Sequence, residues 1–361
     1  MRAPTSLDVG EMDIVKRFSE NPLIKPEDIK PSRDNLIVEC VFNPGVFQYK
    51  GFIGLLCRVA ERPEQKKNYL TIPVMNPFHH KIEFLEFSYK DPLLDYDDPR
   101  KFRYGNKGYL TTLSHLRLAW SDNEVNFKID EKPTIEGETE YETFGVEDAR
   151  ITKIEDTYYI THTSVSENGV CVNLRKTIDW SNFENYGIIF PPHNKDCVLF
   201  PEKINGKYYA LHRPSGILLG GNFIWISSSP DLIHWGNHSI LIRTRDNMWD
   251  SERIGACGVP VKTDKGWLVI YHGADNTSRY CVGAMLLDYE NPERVISRCS
   301  GPIMEPKEDY EREGFFGNVV FTNGYLVKED ELIIYYGAAD KYVCGGKVKI
   351  SDILNSIKKF K

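Results

Sequence analysis

The chain has 361 residues and a mass of 41.6 kDa, enough for one large all-β domain or two ordinary domains. Its 41% hydrophobic and 27% charged content is that of a globular protein, and 20 Tyr, 18 Phe and 6 Trp argue against disorder away from the ends. A formal charge of -7 with no face-sized basic run argues against a nucleic-acid partner, and Lys358-Lys359-Phe360-Lys361 reads as a solvated tail.

No apolar run approaches the roughly 20 residues of a membrane span, and the N-terminus lacks a signal-peptide pattern, so a cytoplasmic location without membrane partners is expected. The eight cysteines are scattered with no CxxC pair, which predicts buried thiols rather than a zinc site or a disulfide framework.

Taken in chain order, residues 1–35 read as a helical or extended N-terminal extension that straps subunits in a possible homo-oligomer. Gly51 to Arg58 is the first aromatic-rich strand, and its partner, Ser114 to Trp120, comes only after a charged, aromatic and proline-rich insertion over about 61–110. An insertion of this kind is expected at loop level, shaping an acceptor side or an oligomer contact. It contains His79-His80, two histidines without a third ligand, so no metal site is expected.

Gly145-Val146-Glu147-Asp148-Ala149-Arg150 then sets two carboxylates against a guanidinium ahead of the strand-like run Ile151 to Thr163. An acid beside a fixed cation is suited to proton management, although six residues alone read equally as a surface ion pair. Four further strand pairs follow, headed by Thr157 to His162, Lys207 to Arg213, Gly266 to Gly273 and Glu331 to Gly337. A short extension over 351–361 ends the chain.

These units recur at intervals of roughly 50 to 65 residues, the size of a propeller blade. Each is a small antiparallel sheet unable to bury both faces alone, which predicts an all-β fold, a single five-bladed β-propeller over 1–361, with a sandwich as the alternative. Polar residues follow the strand at one place in every copy: Arg58, His162, His212 with Arg213, His272, and Asp340. In a propeller such strand ends converge on one mouth of the central channel, which is where an active site is predicted.

The ordered set Phe42-Asn43-Pro44, Cys57-Arg58, Gly145 to Arg150, Phe200-Pro201-Glu202-Lys203, Leu211 to Pro214, Tyr271-His272-Gly273, Gly317 to Phe321 and Tyr335 to Asp340 resembles glycoside hydrolase family 130 over nearly the whole length. That family comprises five-bladed mannoside phosphorylases and mannosidases. The resemblance implies that Asp148 is the proton donor, acting through a sugar hydroxyl that relays the proton, and that its pKa must be raised toward neutrality. It places phosphate on Lys195, Arg213, His272 and Tyr280 with Arg58 close by, and the non-reducing mannose among Asn43, Arg150, His212, Asn318 and Asp340. Lys203 is either a phosphate contact or a partner of Glu202, and Tyr271 either a stacking platform or core.

A hydrolase needs a second carboxylate to activate water, whereas phosphate is already ionised and attacks directly if cations hold it. Basic residues at these positions therefore imply a phosphorylase, and the overall pattern looks most like the family's β-1,2-mannobiose and β-1,2-oligomannan phosphorylases; that resemblance implies an inverting conversion of β-1,2-linked mannobiose or mannooligosaccharide and phosphate, reversibly, to α-mannose 1-phosphate and a shortened acceptor. Phosphate is a co-substrate, and no cofactor is required. A β-1,4-mannosyl-glucose or mannosyl-N-acetylglucosamine phosphorylase, or a phosphate-independent β-mannosidase, remains the alternative.

Overall fold

The computed structural model describes residues 13–216 and 220–359. It is all-β, with five larger antiparallel sheets and two small ones. The first sheet contains Ile37–Tyr49, Phe52–Arg62, Leu113–Ser121 and Lys128–Ile129. The second runs Val146–Ile154, Thr157–Ser166, Gly169–Thr177, Glu184–Phe190, and the third Asn194–Leu199, Tyr208–Pro214, Ile224–Ser229, Gly236–Ile242. The fourth is built on Arg253–Ala256, Gly266–Ala274, Tyr280–Leu287 and Val295–Cys299, and the fifth on Val320–Lys328, Glu331–Ala338 and Tyr342–Lys349.

The strand pairs expected from the repeats are present, including Phe52–Arg62 with Leu113–Ser121 across the insertion. An Asp or Asn recurs just after a strand because its side chain caps the turn there. The Asp179 carboxylate accepts from the Ser181 and Asn182 amides, Asp231 from Ile233 and His234, Asp288 from Glu290 and Asn291, and the Asn123 carbonyl from Val125 and Asn126.

Alternation along the strands gives each sheet two apolar faces, and each face is buried against the next sheet. Leu116, Leu118, Ile151 and Ile160 join the first sheet to the second; Leu174, Phe190, Leu199 and Ala210 join the second to the third. Leu211, Ile226, Trp267 and Met285 join the third to the fourth, Leu268, Val282, Ile334 and Tyr336 the fourth to the fifth, and Val41, Leu55, Ile333 and Tyr335 the fifth to the first. The five interfaces thus close on themselves. Burying one such aliphatic side chain contributes about 1.5–3 kcal/mol, so each interface is a substantial store of stability.

The insertion is more ordered than loop level. It forms a hairpin, Tyr69–Asn76 with Lys81–Ser88, and a three-stranded sheet, Leu94–Asp98, Lys101–Tyr104 and Lys107–Leu110, around Leu70, Ile72, Phe87 and Phe102. His79 and His80 lie in the exposed hairpin turn.

At the N-terminal side, Lys16–Arg17 pairs with Tyr342–Lys349 as an outer strand of the fifth sheet, and Pro26–Asp28 forms one 3₁₀ turn. The rest of the predicted N-terminal extension, residues 1–12, lies outside the described residues. The C-terminal run is a short helix, Ile350–Ser356, followed by Ile357–Lys359 paired with Val295–Cys299. The backbone there is fixed in the fourth sheet, correcting the reading of a solvated tail up to residue 359; Phe360 and Lys361 are outside the described residues. All eight cysteines are buried and free. Among the described residues no helix is long and apolar enough to cross a membrane.

Candidate active site

The first strands of the first three sheets share one irregularity. Register shifts fall between Phe42 and Gly45, between Glu147 and Arg150, and between Lys195 and Val198. Asn43, Asp148 and Asp196 occupy these bulges with φ of 47°, 49° and 53°. A bulge frees the side chain from strict alternation and re-aims it, and Asn and Asp tolerate the left-handed region best among residues with a Cβ. Each such residue carries about 1–3 kcal/mol of backbone strain, held by its surroundings.

Those surroundings are specific. Gly145, at φ 99°, lies so close to the first sheet that a Cβ there would meet the Ser114 carbonyl oxygen at 2.3 Å. The loop before it is fixed by Glu142, fully buried, which accepts from the Glu138 and Thr139 amides and from the Ser164 hydroxyl. Glu311 does the same ahead of the fifth sheet, accepting from the Lys307 and Glu308 amides and the Tyr336 hydroxyl. A Cβ on Gly337 would fall 2.1 Å from Asn43 Oδ1, so this glycine makes room for the amide that contacts Asp148.

The bulged strands open into one cavity of about 250 Å³. Asn43, Arg58, Asp148, Lys195, Arg213, His272, Tyr280 and Asp340 line it, as the sequence predicts. Asp148 is 4% exposed; its Oδ1 accepts from Asn43 Nδ2 at 3.1 Å and from Arg58 Nη1 at 3.3 Å, while Arg58 Nη2 donates to Glu147 at 2.6 Å. Asp196 lies between Arg213, at 3.0 Å, and Arg150, at 3.1 Å, with His272 Nε2 at 3.4 Å.

Three predicted residues are not brought to the cavity. Arg150 is 1% exposed and lies beneath it, donating to the carbonyls of Asp148, Ala256 and Cys257 as well as to Asp196. His212 points to the other face of its strand because neighbouring residues alternate, and Arg213 takes the cavity side; the imidazole stacks on Phe190 at 4.2 Å and pairs with Asn194. Asn318 is exposed, and only its backbone serves the site, through the Tyr280 amide donating to its carbonyl at 3.0 Å. Lys203 fulfils neither reading: it lies over the Tyr208 ring, and Glu202 pairs with Lys262. Tyr271 is core, fully buried with its hydroxyl donating to Asp250.

Sequence reasoning missed Arg100, Lys101 and Arg253, all of which line the cavity. Arg253 opens the first strand of the fourth sheet and donates to the Tyr280 hydroxyl at 3.1 Å. Following the first strand of each unit, where Asn43, Asp148 and Lys195 already stood, would have pointed to it. Arg100 comes from the insertion; its guanidinium lies 3.5 Å over the Phe316 ring and 4.0 Å from Asp340.

Among the described residues the cavity walls carry, in formal charge, six cations (Arg58, Arg100, Lys101, Lys195, Arg213, Arg253) and four carboxylates (Glu147, Asp148, Asp196, Asp340), a balance of 6 − 4 = +2 on a chain of -7. Burial pushes the Asp148 carboxyl up, but Arg58, Lys195 and Arg150 outweigh it and leave it below the ordinary carboxylate value. The protein by itself therefore holds Asp148 ionised, against the expectation of a raised pKa. Burial lifts Asp340 instead, to about 6, over the opposing pull of Arg100 and Arg58. His272 is pushed down to about 3 by burial and stands as a neutral imidazole, so its contact with Asp196 is not an ion pair.

Residues 102–359 match the family model described as beta-1,4-mannooligosaccharide phosphorylase. A beta-1,2-mannobiose phosphorylase of Listeria innocua is 47% identical over 95% of this chain and 98% of its own length. A 1,2-beta-oligomannan phosphorylase of Thermoanaerobacter is 41% identical over 67% of this chain and 80% of its own. The solved structure of the Listeria innocua enzyme with beta-1,2-mannobiose superposes with a TM-score of 0.93 at 46% identity, covering 95% of this chain and 98% of that one. With the bulged strands and their cation-rich cavity, these likenesses place the chain in glycoside hydrolase family 130.

Proposed function

We propose that the protein is an inverting phosphorylase that cleaves β-1,2-linked mannobiose and mannooligosaccharides with inorganic phosphate, reversibly, to α-mannose 1-phosphate and a shortened acceptor. The observation that carries this reading is the excess of cations over carboxylates around Asp148. A site built to activate water needs a second, basic carboxylate, whereas a site that holds a dianionic nucleophile needs neutralising charge. The likeness to relatives named for β-1,2-mannosides supports the linkage. The closed circuit of five sheet interfaces supports a single domain over 1–361 with the sheets as blades of a five-bladed propeller.

In this reading Lys195, Arg213, Arg253 and the Tyr280 hydroxyl hold the phosphate, with neutral His272 donating one ring N–H. Arg suits paired phosphate oxygens and Lys acts as a point charge. Asn43 and Asp340 bind hydroxyls of the non-reducing mannose. Arg58 ties Glu147 to Asp148 and fixes the direction of the acid.

Asp148 acquires its proton on substrate binding. Phosphate engaging Lys195 reduces the positive field that holds the carboxyl down, and its own charge raises the carboxyl's proton affinity. Asp148 then delivers that proton through a mannose hydroxyl to the glycosidic oxygen. A phosphate oxygen forms the new bond to the anomeric carbon as the acceptor leaves.

The test is incubation of the purified protein with β-1,2-mannobiose, with and without phosphate, assayed for mannose 1-phosphate. Release that depends on phosphate is expected. Equal mannose release without phosphate would identify a hydrolase, and turnover confined to β-1,4-linked substrates would move the linkage to the one in the family model's description.

A further inference from the structure

We propose that Arg17, on the outer strand of the fifth sheet, is a positioning residue of the active site, acting through buried Glu311 on the loop 311–319. The proposal rests on the phosphorylase reading for the identity of the ligands, and on the geometry of the loop for the coupling.

The loop reaches the site at several points. Phe315 and Val319 line the cavity directly. The Phe316 amide donates to the Ala339 carbonyl at 3.1 Å and the Ala339 amide to the Val319 carbonyl at 3.0 Å, so the residue before Asp340 is held from both sides. Phe316 also carries the Arg100 guanidinium, and the Asn318 carbonyl accepts from the Tyr280 amide. Close packing leaves the loop little freedom, since a Cβ on Gly314 would fall 2.4 Å from the Ala339 carbonyl oxygen. The loop is thus a common support for Tyr280, Asp340 and Arg100.

What fixes the loop is the helical turn at its start, Asp309–Arg312. The Val319 amide donates to the Glu311 carbonyl at 3.0 Å, and the Asn318 amide to the Arg312 carbonyl at 3.2 Å. The Glu311 side chain is fully buried, so its charge calls for a cation as well as its amide and hydroxyl donors. Glu142, in the matching place ahead of the second sheet, faces Arg175 of its own sheet at 3.7 Å. The three main strands of the fifth sheet contain no arginine. The guanidinium comes instead from Arg17, 294 positions away, with Nε at 3.2 Å and Nη2 at 3.4 Å from the Glu311 carboxylate. Arg17 is itself aimed by the Glu305 carbonyl at 2.7 Å and by Asp13 at 2.5 Å. Its removal leaves a carboxylate buried without counter-charge at the root of the loop.

Calorimetric binding of β-1,2-mannobiose and of inorganic phosphate, each alone, to the whole protein reads the coupling without turnover. Arg17→Met is expected to weaken both about tenfold, the equivalent of one hydrogen bond to a charged group, as Asp340 and Tyr280 lose their fixed support. Arg17→Lys keeps the charge without the guanidinium fork, so a loss of about threefold is expected, and it reads the same question if the methionine variant does not fold. Val15→Ala, a core truncation in the same segment, is expected to lower the Tm and leave both affinities within about twofold. Arg17→Met combined with Glu311→Gln is expected to lose less than the product of the separate losses, because the pair acts as one unit. Unchanged affinities in the Arg17 variants, an equal loss in Val15→Ala, or losses that multiply would overturn the positioning role. The phosphorylase reading fails separately: absence of phosphate binding and of phosphate-dependent turnover in the unaltered protein refutes it, and the mannobiose affinities still decide the role of Arg17.

Discussion

Arg150→Met distinguishes a buried strut from a sugar ligand. The guanidinium donates from Nε to the Cys257 carbonyl at 3.2 Å, from Nη1 to the Asp148 carbonyl at 3.0 Å, and from Nη2 to Asp196 and the Ala256 carbonyl at 3.1 and 3.3 Å. Methionine fills similar space and removes all four bonds. Breaking a buried charge pair by deleting one member costs about 3–5 kcal/mol. Asp196 keeps Arg213 at 3.0 Å, so the lower end, about 3 kcal/mol, applies. The unfolding entropy of a chain this long is about 0.76 kcal/mol per kelvin, which converts that loss to a Tm lowered by about 4 °C. Scanning calorimetry supplies the Tm, and steady-state kinetics on β-1,2-mannobiose supply kcat and KM. We expect the lower Tm together with a reduced kcat, because Asp148 loses its backbone anchor, and a KM within about threefold of the unaltered protein. An unchanged Tm with KM raised tenfold or more would refute the strut and return Arg150 to the substrate.

Asp148→Asn should lower kcat by roughly 10² to 10⁴, the range of general-acid contributions, while calorimetry still detects mannobiose binding; retained turnover would remove Asp148 from the mechanism. Lys195→Ala should raise the KM for phosphate by about tenfold or more and leave sugar binding in phosphate-free buffer nearly unchanged; a matching loss for both ligands would mean the residue shapes the whole cavity. Asp340→Asn tests the raised carboxyl by urea titration across pH. Asp340 titrates near 6 when folded and near 3.9 when unfolded, so the folded state binds more protons in between. Its contribution is therefore full below about pH 4 and is lost as pH rises to 6, by roughly 3 kcal/mol at most. The variant should flatten that slope, and an unchanged slope would count against a proton-retaining Asp340.

The repeat was legible because every unit places an aromatic strand beside a second strand and four of the five close with a capped Asp or Asn turn, a local pattern of a few residues. Asp148, Arg58 and His272 were legible because they sit within compact motifs whose spacing survives in one dimension. Arg213 and His212 are adjacent, and nothing local in Leu211-His212-Arg213 tells which of the two faces the cavity; the pairing of Arg213 with Lys195 decides it. Arg150 was misplaced for a related reason, since a bulge at Glu147 to Arg150 breaks the alternation from which its direction would be read. Arg100 was out of reach because its place depends on how an inserted sheet folds back over Phe316, a contact between residues more than 200 positions apart.

The pairing of Lys16–Arg17 with Tyr342–Lys349 also bears on how the molecule is made. The two partners are separated by about 330 residues, so at roughly 5–20 residues per second the first must wait on the order of half a minute for the second to leave the ribosome. Sheets one to four contain their principal strands in chain order and can form during synthesis, whereas the fifth takes a strand from each end of the chain. The last interfaces to be buried are then those joining the fifth sheet to its neighbours, around Tyr335, Tyr336 and Ile334. Until they close, the nascent chain presents apolar faces on the first and fourth sheets, the surfaces a chaperone would be expected to shield.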